Sequence, residues 1–187
     1  MLACVMVAQL GYALGSIPTG YLIVRWRTGK DVRMLDSGST GGRNVARQLG
    51  LAWGLASGAG DVAKGAAAVV LARRIAPGDW PIAIPAVVAG HVWSPMLGFR
   101  GGRGIATALG AGLVADPATG AATVAAFLAG YVVTRQTRPG IALAMAAAPA
   151  STMVLRRPSG MIRAVLATVA VVAAAHAPLL RRILRPA

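Results

Sequence analysis

Acid is nearly missing from this chain. Its 187 residues include five aspartates and no glutamate, against 19 lysines and arginines, for a formal charge of +14. In a soluble domain that excess would suggest a nucleic-acid surface. Aromatic residues make up only 5% of the sequence, however, and no basic amphipathic helix is evident, so nucleic acid is not an expected partner. A single cysteine, Cys4, excludes an intrachain disulfide. No Cys and His cluster has metal-ligand spacing, so neither a metal nor a cofactor is expected. The paired repeats of secondary transporters are not found either.

Apolar residues and glycine are plentiful. Hydrophobic residues account for 56% of the chain, glycine contributes 24 positions and the mean hydropathy is +0.64, well outside the soluble balance. The fold class expected is an all-α integral membrane protein, one polytopic domain over residues 1–187. The chain starts MLACVMVAQLGYALG without a basic leader, and the apolar run continues to about Trp26, which reads as a retained first span. Further runs lie at about 50–72, 80–98, 102–115, 117–134, 139–155 and 161–177, for seven transmembrane helices in all. The fourth carries Gly110 and Gly112 and closes at Asp116-Pro117, so it is expected to be short, tilted or incompletely crossing. Alternate placement of the loops puts thirteen basic residues on one face and five on the other, with Lys64 inside the second span. Because cytoplasmic loops carry the basic excess, the N-terminus is expected outside and the C-terminus in the cytoplasm.

Two turns then share the cytoplasmic face. FRGGRG places Arg100 and Arg103 among Gly101, Gly102 and Gly104, just before a helix start. Glycines let backbone N–H groups approach an anion, the helix dipole adds positive potential, and guanidiniums donate in pairs. The same residues would also serve as a topology signal with tight packing. The other turn, DVRMLDSGSTGGRNVARQLG, runs into a helix with Asn44 and Arg47 one turn apart, and its serines suit either capping or an anion. In the second span, Asp61 and Lys64 stand three residues apart on one helical face, where each neutralises the other. An intramembrane charge pair is a functional candidate, with a structural ion pair as the plain alternative.

Together these stretches resemble the PlsY family of bacterial acyl-phosphate-dependent glycerol-3-phosphate acyltransferases. The similarity is carried by GSIPTGYLI, DVRMLDSGSTGGRNVAR, DVAKG and AGHVWSPMLGFRGGRGIATALG, in order, and fades after about residue 135. The family motif GSGN-x-GATNVLR is matched by Ser37, Gly38, Gly41, Asn44 and Arg47, while Asp36, Ser39, Gly42 and Arg43 depart from it. The family's GFKGGKG appears as GFRGGRG, with Arg100 and Arg103 in place of its lysines. Serines that follow the fifth span in the family are replaced, with Arg138 and Ile141 at about those places. Of the C-terminal motif, His176 and Arg182 survive.

The resemblance implies acyl transfer from acyl phosphate to the sn-1 hydroxyl of glycerol 3-phosphate, yielding lysophosphatidic acid in the bacterial inner membrane, with lipid as the surrounding partner. It implies His176, Arg103 and Arg47 as catalytic groups. Ser37, Gly38, Gly41, Arg43, Asn44, Lys64, Arg100, Gly101, Gly102, Gly104 and Arg182 are implied for phosphate binding, with Asp61, His91 and Thr107 behind them. No Ser-His-Asp arrangement is evident, and acyltransferases of the H-x-x-x-x-D type are excluded because Met96 and Arg181 stand five residues after His91 and His176. The missing serines and altered C-terminal motif leave open a non-catalytic or transport-type protein, or an acyltransferase with a different acceptor.

Overall fold

A computed structural model describes the backbone of residues 2–184 and the side chains of residues 2–177. Its helices are α1 (Leu2–Gly15), α2 (Thr19–Thr28), α3 (Gly42–Leu49), α4 (Leu51–Ile75), α5 (Ala83–Val92), α6 (Ile105–Ala115), α7 (Pro117–Thr134), α8 (Thr137–Val154) and α9 (Ser159–Leu184), with short 3-10 turns at Val32–Met34, Trp80–Ile82 and Pro95–Leu97. There is no strand among the described residues.

Five segments are long and apolar enough to cross a membrane: Leu2–Thr28, Leu51–Ile75, Trp80–Leu97, Pro117–Thr134 and Ser159–Ala177. The α6 helix is apolar but only 11 residues long, as its glycines and the closing Asp116-Pro117 suggested. Pro117 opens α7 at its first position, where a missing N–H costs nothing.

The first apolar run is not one continuous helix. Pro18 lacks an N–H and disfavours helical backbone at Ile17, so the chain breaks between α1 and α2. The break frees carbonyl groups in an apolar setting. Ser94 Oγ donates to Ser16 O at 2.6 Å and Lys64 Nζ donates to Ile17 O at 2.7 Å, which satisfies both. The short α3 is also a correction: it is basic and amphipathic, burying Asn44 and Val45 while Arg43 and Arg47 face out.

Small residues bring the helices together. A β-carbon on Gly65 of α4 would lie 2.1 Å from the Thr107 carbonyl oxygen of α6, and one on Gly110 would lie 2.0 Å from Val62 O. The same reciprocal contact joins α1 and α5, where Gly15 meets Val87 O and Gly90 meets Tyr12 O. Backbones this close gain dispersion and Cα–H···O contacts that larger side chains would prevent. The central core, including Val69, Val87, Val88, Ala111 and Val165, fills the space between α4, α5, α6 and α9.

Basic loops divide between the two ends of the bundle. At one end Arg33 Nη1 donates to Leu97 O at 2.6 Å, joining the loops before α3 and α6, and Arg43 Nη1 donates to Thr137 Oγ1 at 2.7 Å, joining the starts of α3 and α8. At the other, Arg157 makes two bonds to Asp116, at 2.7 and 2.8 Å, and Arg73 donates to Ala115 O. Burial works against ionisation of Asp116, but the Thr119 hydroxyl and the Arg157 guanidinium outweigh it and hold its carboxyl below the usual carboxylate range.

Gly65→Ala is expected to force α4 and α6 apart and to lower unfolding stability in detergent by about 1–3 kcal/mol. Gly58→Ala, where an added β-carbon meets nothing within 4 Å, should leave the midpoint unchanged or raised.

Candidate active site

The loop after α5 folds back on the helix it leaves. N–H groups of Gly98, Phe99, Arg100, Gly101 and Gly102 donate to the carbonyls of Pro95, Ser94, Leu97, Val92 and His91 in turn. Those of Gly101 and Gly102 therefore cap carbonyls that the end of α5 would leave free. This corrects the expectation that Gly101 and Gly102 offer their N–H groups to an anion. Their role is close approach: a β-carbon on Gly101 would lie 2.0 Å from His91 O, and one on Gly102 2.1 Å from His91 Nε2. Further along the same loop, the N–H groups from Arg103 to Thr107, at the start of α6, have no backbone acceptor among the described residues. Gly104 sets that start with a left-handed φ of 78°.

Beneath the loop lies a buried polar knot. Asp61 Oδ1 accepts from Thr19 Oγ1 at 2.6 Å and from Lys64 Nζ at 2.9 Å, and His91 Nδ1 sits 3.4 Å away. Lys64 was expected at the phosphate; it is instead held inside by Asp61 and Ile17 O. Thr107, expected near the site, is fully buried at the α4–α6 crossing with its hydroxyl unpartnered among the described residues.

Asn44 is likewise a brace. Its Nδ2 lies 3.1, 3.1 and 2.8 Å from the carbonyls of Val32, Leu35 and Ser39, so both amide hydrogens are spent holding the loop before α3. Ser37 and Gly38 remain exposed, and Arg47 pairs with Asp36, a residue at a left-handed φ of 46°. Gly41 caps α3 with extended backbone.

Arg103 lies with Arg43 and Arg138. Burial first, then the positive charges of Arg138 and Arg43, hold its pKa below the ordinary arginine value. The guanidinium stays charged, so the three cations repel, and no aspartate compensates them. Asp31 pairs with Arg33, Asp36 with Arg47, Asp61 with Lys64 and Asp116 with Arg157, while Asp79 belongs to the opposite end. Arg100 faces elsewhere, into a cleft of about 350 Å³ with Asp31, Arg33, Met34, Gly38 and Gly101.

An apolar groove of about 400 Å³ runs between α6, α7, α8 and α9. Ile105, Ile141 and Val172 line it at the arginine-rich end, Phe127 and Leu128 midway, and Thr119, Ala148 and Met161 at the far end. Arg103 precedes Ile105 by two residues, Arg138 precedes Ile141 by one turn, and His176 follows Val172 by one turn. His176 Nδ1 lies 2.7 Å from Val172 O, and its Nε2 is buried with no partner among the described residues. A carbonyl can only accept, so Nδ1 carries a proton toward Val172 O, and the tautomer this selects has its lone pair at Nε2. The side chain of Arg182 lies outside the described residues.

A bundle of apolar helices whose interior charges are paired is the construction of an integral membrane protein. The family model described as Glycerol-3-phosphate acyltransferase matches residues 5–186, and the chain belongs to that family of acyltransferases. Similar proteins include a glycerol-3-phosphate acyltransferase of Geobacter sulfurreducens, 36% identical over 98% of this chain and 95% of its own length. Another, from Clostridioides difficile, is 34% identical over 90% of this chain and 86% of the relative. Among solved structures, the glycerol 3-phosphate form of PlsY (YgiH), an integral membrane glycerol 3-phosphate acyltransferase, superposes with a TM-score of 0.88 at 26% identity, covering 97% of this chain and 92% of that one.

Nothing in the sequence singled out Thr19, whose partner Asp61 is 42 residues away, or Thr40, whose Oγ1 would lie 3.0 Å from a β-carbon on Gly102. Arg138 stood out only as a departure.

Asp61→Asn should leave the Lys64 charge buried without a counter-ion and cost about 3–5 kcal/mol in detergent unfolding. Adding Lys64→Met is expected to recover part of that loss, because the unpaired charge goes with it.

Proposed function

We propose that this chain transfers an acyl group from acyl phosphate to the sn-1 hydroxyl of glycerol 3-phosphate, releasing lysophosphatidic acid and phosphate. The observation that carries the reading is the apolar groove ending beside three arginines that no acid neutralises, with the free nitrogen of His176 on the adjoining helix. The names of the relatives and the glycerol 3-phosphate form of the similar structure support the same acceptor.

In the reaction, the sn-1 oxygen forms a bond to the acyl carbon while the bond from that carbon to the phosphate oxygen breaks. The phosphate leaves with the electron pair, and His176 Nε2 takes the hydroxyl proton. Phosphate is already a good leaving group in a mixed anhydride, so positioning and charge stabilisation suffice without a covalent enzyme intermediate. Arg103, with the free N–H groups at the start of α6, faces developing charge, while Ser37, Arg47 and Arg100 stand at the same end for the second phosphate.

The whole chain acts as one polytopic unit with seven crossings, α1 and α2 forming the first, and α6 and α8 completing the five longer spans. The N-terminus faces outward, the arginine-rich end lies in the cytoplasm, and the protein resides in a bacterial inner membrane. Its basic residues support this orientation.

Purified protein in detergent, given palmitoyl phosphate and radiolabelled glycerol 3-phosphate, should form labelled lysophosphatidic acid; acyl-CoA should not replace the donor. Arg103→Ala is expected to abolish most product, and His176→Ala to lower kcat by about 10²–10⁴ while leaving the unfolding midpoint near wild type. Phosphate release without labelled lipid would overturn glycerol 3-phosphate as the acceptor.

A further inference from the structure

The two arginines of FRGGRG serve different faces of the loop. Arg100 looks into the cleft shared with Asp31 and Arg33, away from the groove between α6 and α9. Arg103 stands two residues before Ile105, which lines the groove, and it does not line the Arg100 cleft. A donor with a hydrocarbon tail in that groove has its carboxyl carbon at the mouth, and its phosphate one bridging anhydride oxygen beyond. The acceptor has no tail and no need of the groove.

Two further cations stand near this end of the groove on other elements. Arg138 precedes the groove residue Ile141 by one turn of α8, and Arg43 is fastened to the same turn through Thr137 Oγ1 at 2.7 Å. Thr40, next to the start of α3, packs against Gly102, which keeps Arg43 beside the loop. All five aspartates are engaged or placed elsewhere, so these cations have no internal counter-charge.

We infer that Arg43 and Arg138 join Arg103 in a three-guanidinium clamp for the phosphate of the acyl donor, and that they set donor affinity without holding the acceptor. This rests on the acyl-phosphate reading above. Guanidiniums bind phosphate oxygens in pairs, and three on separate elements surround a phosphate that gains charge as it leaves.

Equilibrium binding of palmitoyl phosphate to the full-length protein in detergent, without acceptor, tests the clamp apart from turnover. Arg138→Ser and Arg43→Ser are each expected to weaken palmitoyl phosphate about tenfold, roughly the loss of one charge-assisted pair, and to leave glycerol 3-phosphate binding within about twofold. Arg138→Lys should restore much of the loss, which a general folding defect would not allow. Loss of glycerol 3-phosphate binding with palmitoyl phosphate retained, equal loss of both, or no change in either overturns the inference. Failure of the wild type to make lysophosphatidic acid would instead overturn the acyl-transfer reading, with the binding comparison still decisive for the clamp.

Discussion

One carboxylate oxygen holds the interior together. Asp61 Oδ1 receives the Thr19 hydroxyl from the start of α2 and the Lys64 ammonium from its own helix, and faces the His91 ring at the end of α5. In an apolar medium none of these groups has water as an alternative partner, so the cost of separating them keeps three segments in register. Lys64 extends the knot to the backbone carbonyl freed by Pro18, and His91 extends it upward to Gly102. The break in the first apolar run and the glycine loop are therefore parts of one device.

Charge is distributed unevenly above that knot. Where an aspartate is available it takes an arginine or lysine, and this accounts for Arg33, Arg47, Lys64 and Arg157. With so few acids, the arginines around the α6 start are left facing one another. An anion brought from outside would relieve their mutual repulsion, and the groove beside them is lined almost wholly by hydrocarbon. An amphiphile with a phosphate head meets both demands at once.

Much of the site was legible because it is local. The helix start after FRGGRG and the Asp61–Lys64 pairing depend on neighbours in sequence and on helical periodicity, and both stand in the structure where that logic places them. The duties of individual side chains were less legible. Asn44 and Lys64 are residue types suited to phosphate, yet backbone carbonyls of Val32, Leu35, Ser39 and Ile17 claim their donors. Those carbonyls are open to a side chain only because the loop before α3 is irregular and the first run is broken, and hydropathy cannot show either. The same holds for Gly101 and Gly102, whose N–H groups turn inward to the end of α5.

By itself, the sequence determined that the chain is helical and membrane-embedded, that basic residues concentrate in particular loops, and that small residues permit close helix packing; these follow from composition and short-range spacing. Only the tertiary structure decided which arginines stand together, which are already paired, and where the groove opens. Arg43, Arg103 and Arg138 lie on three separate segments, and their convergence depends on how α3, α6 and α8 dock, a matter of long-range packing that no local pattern encodes.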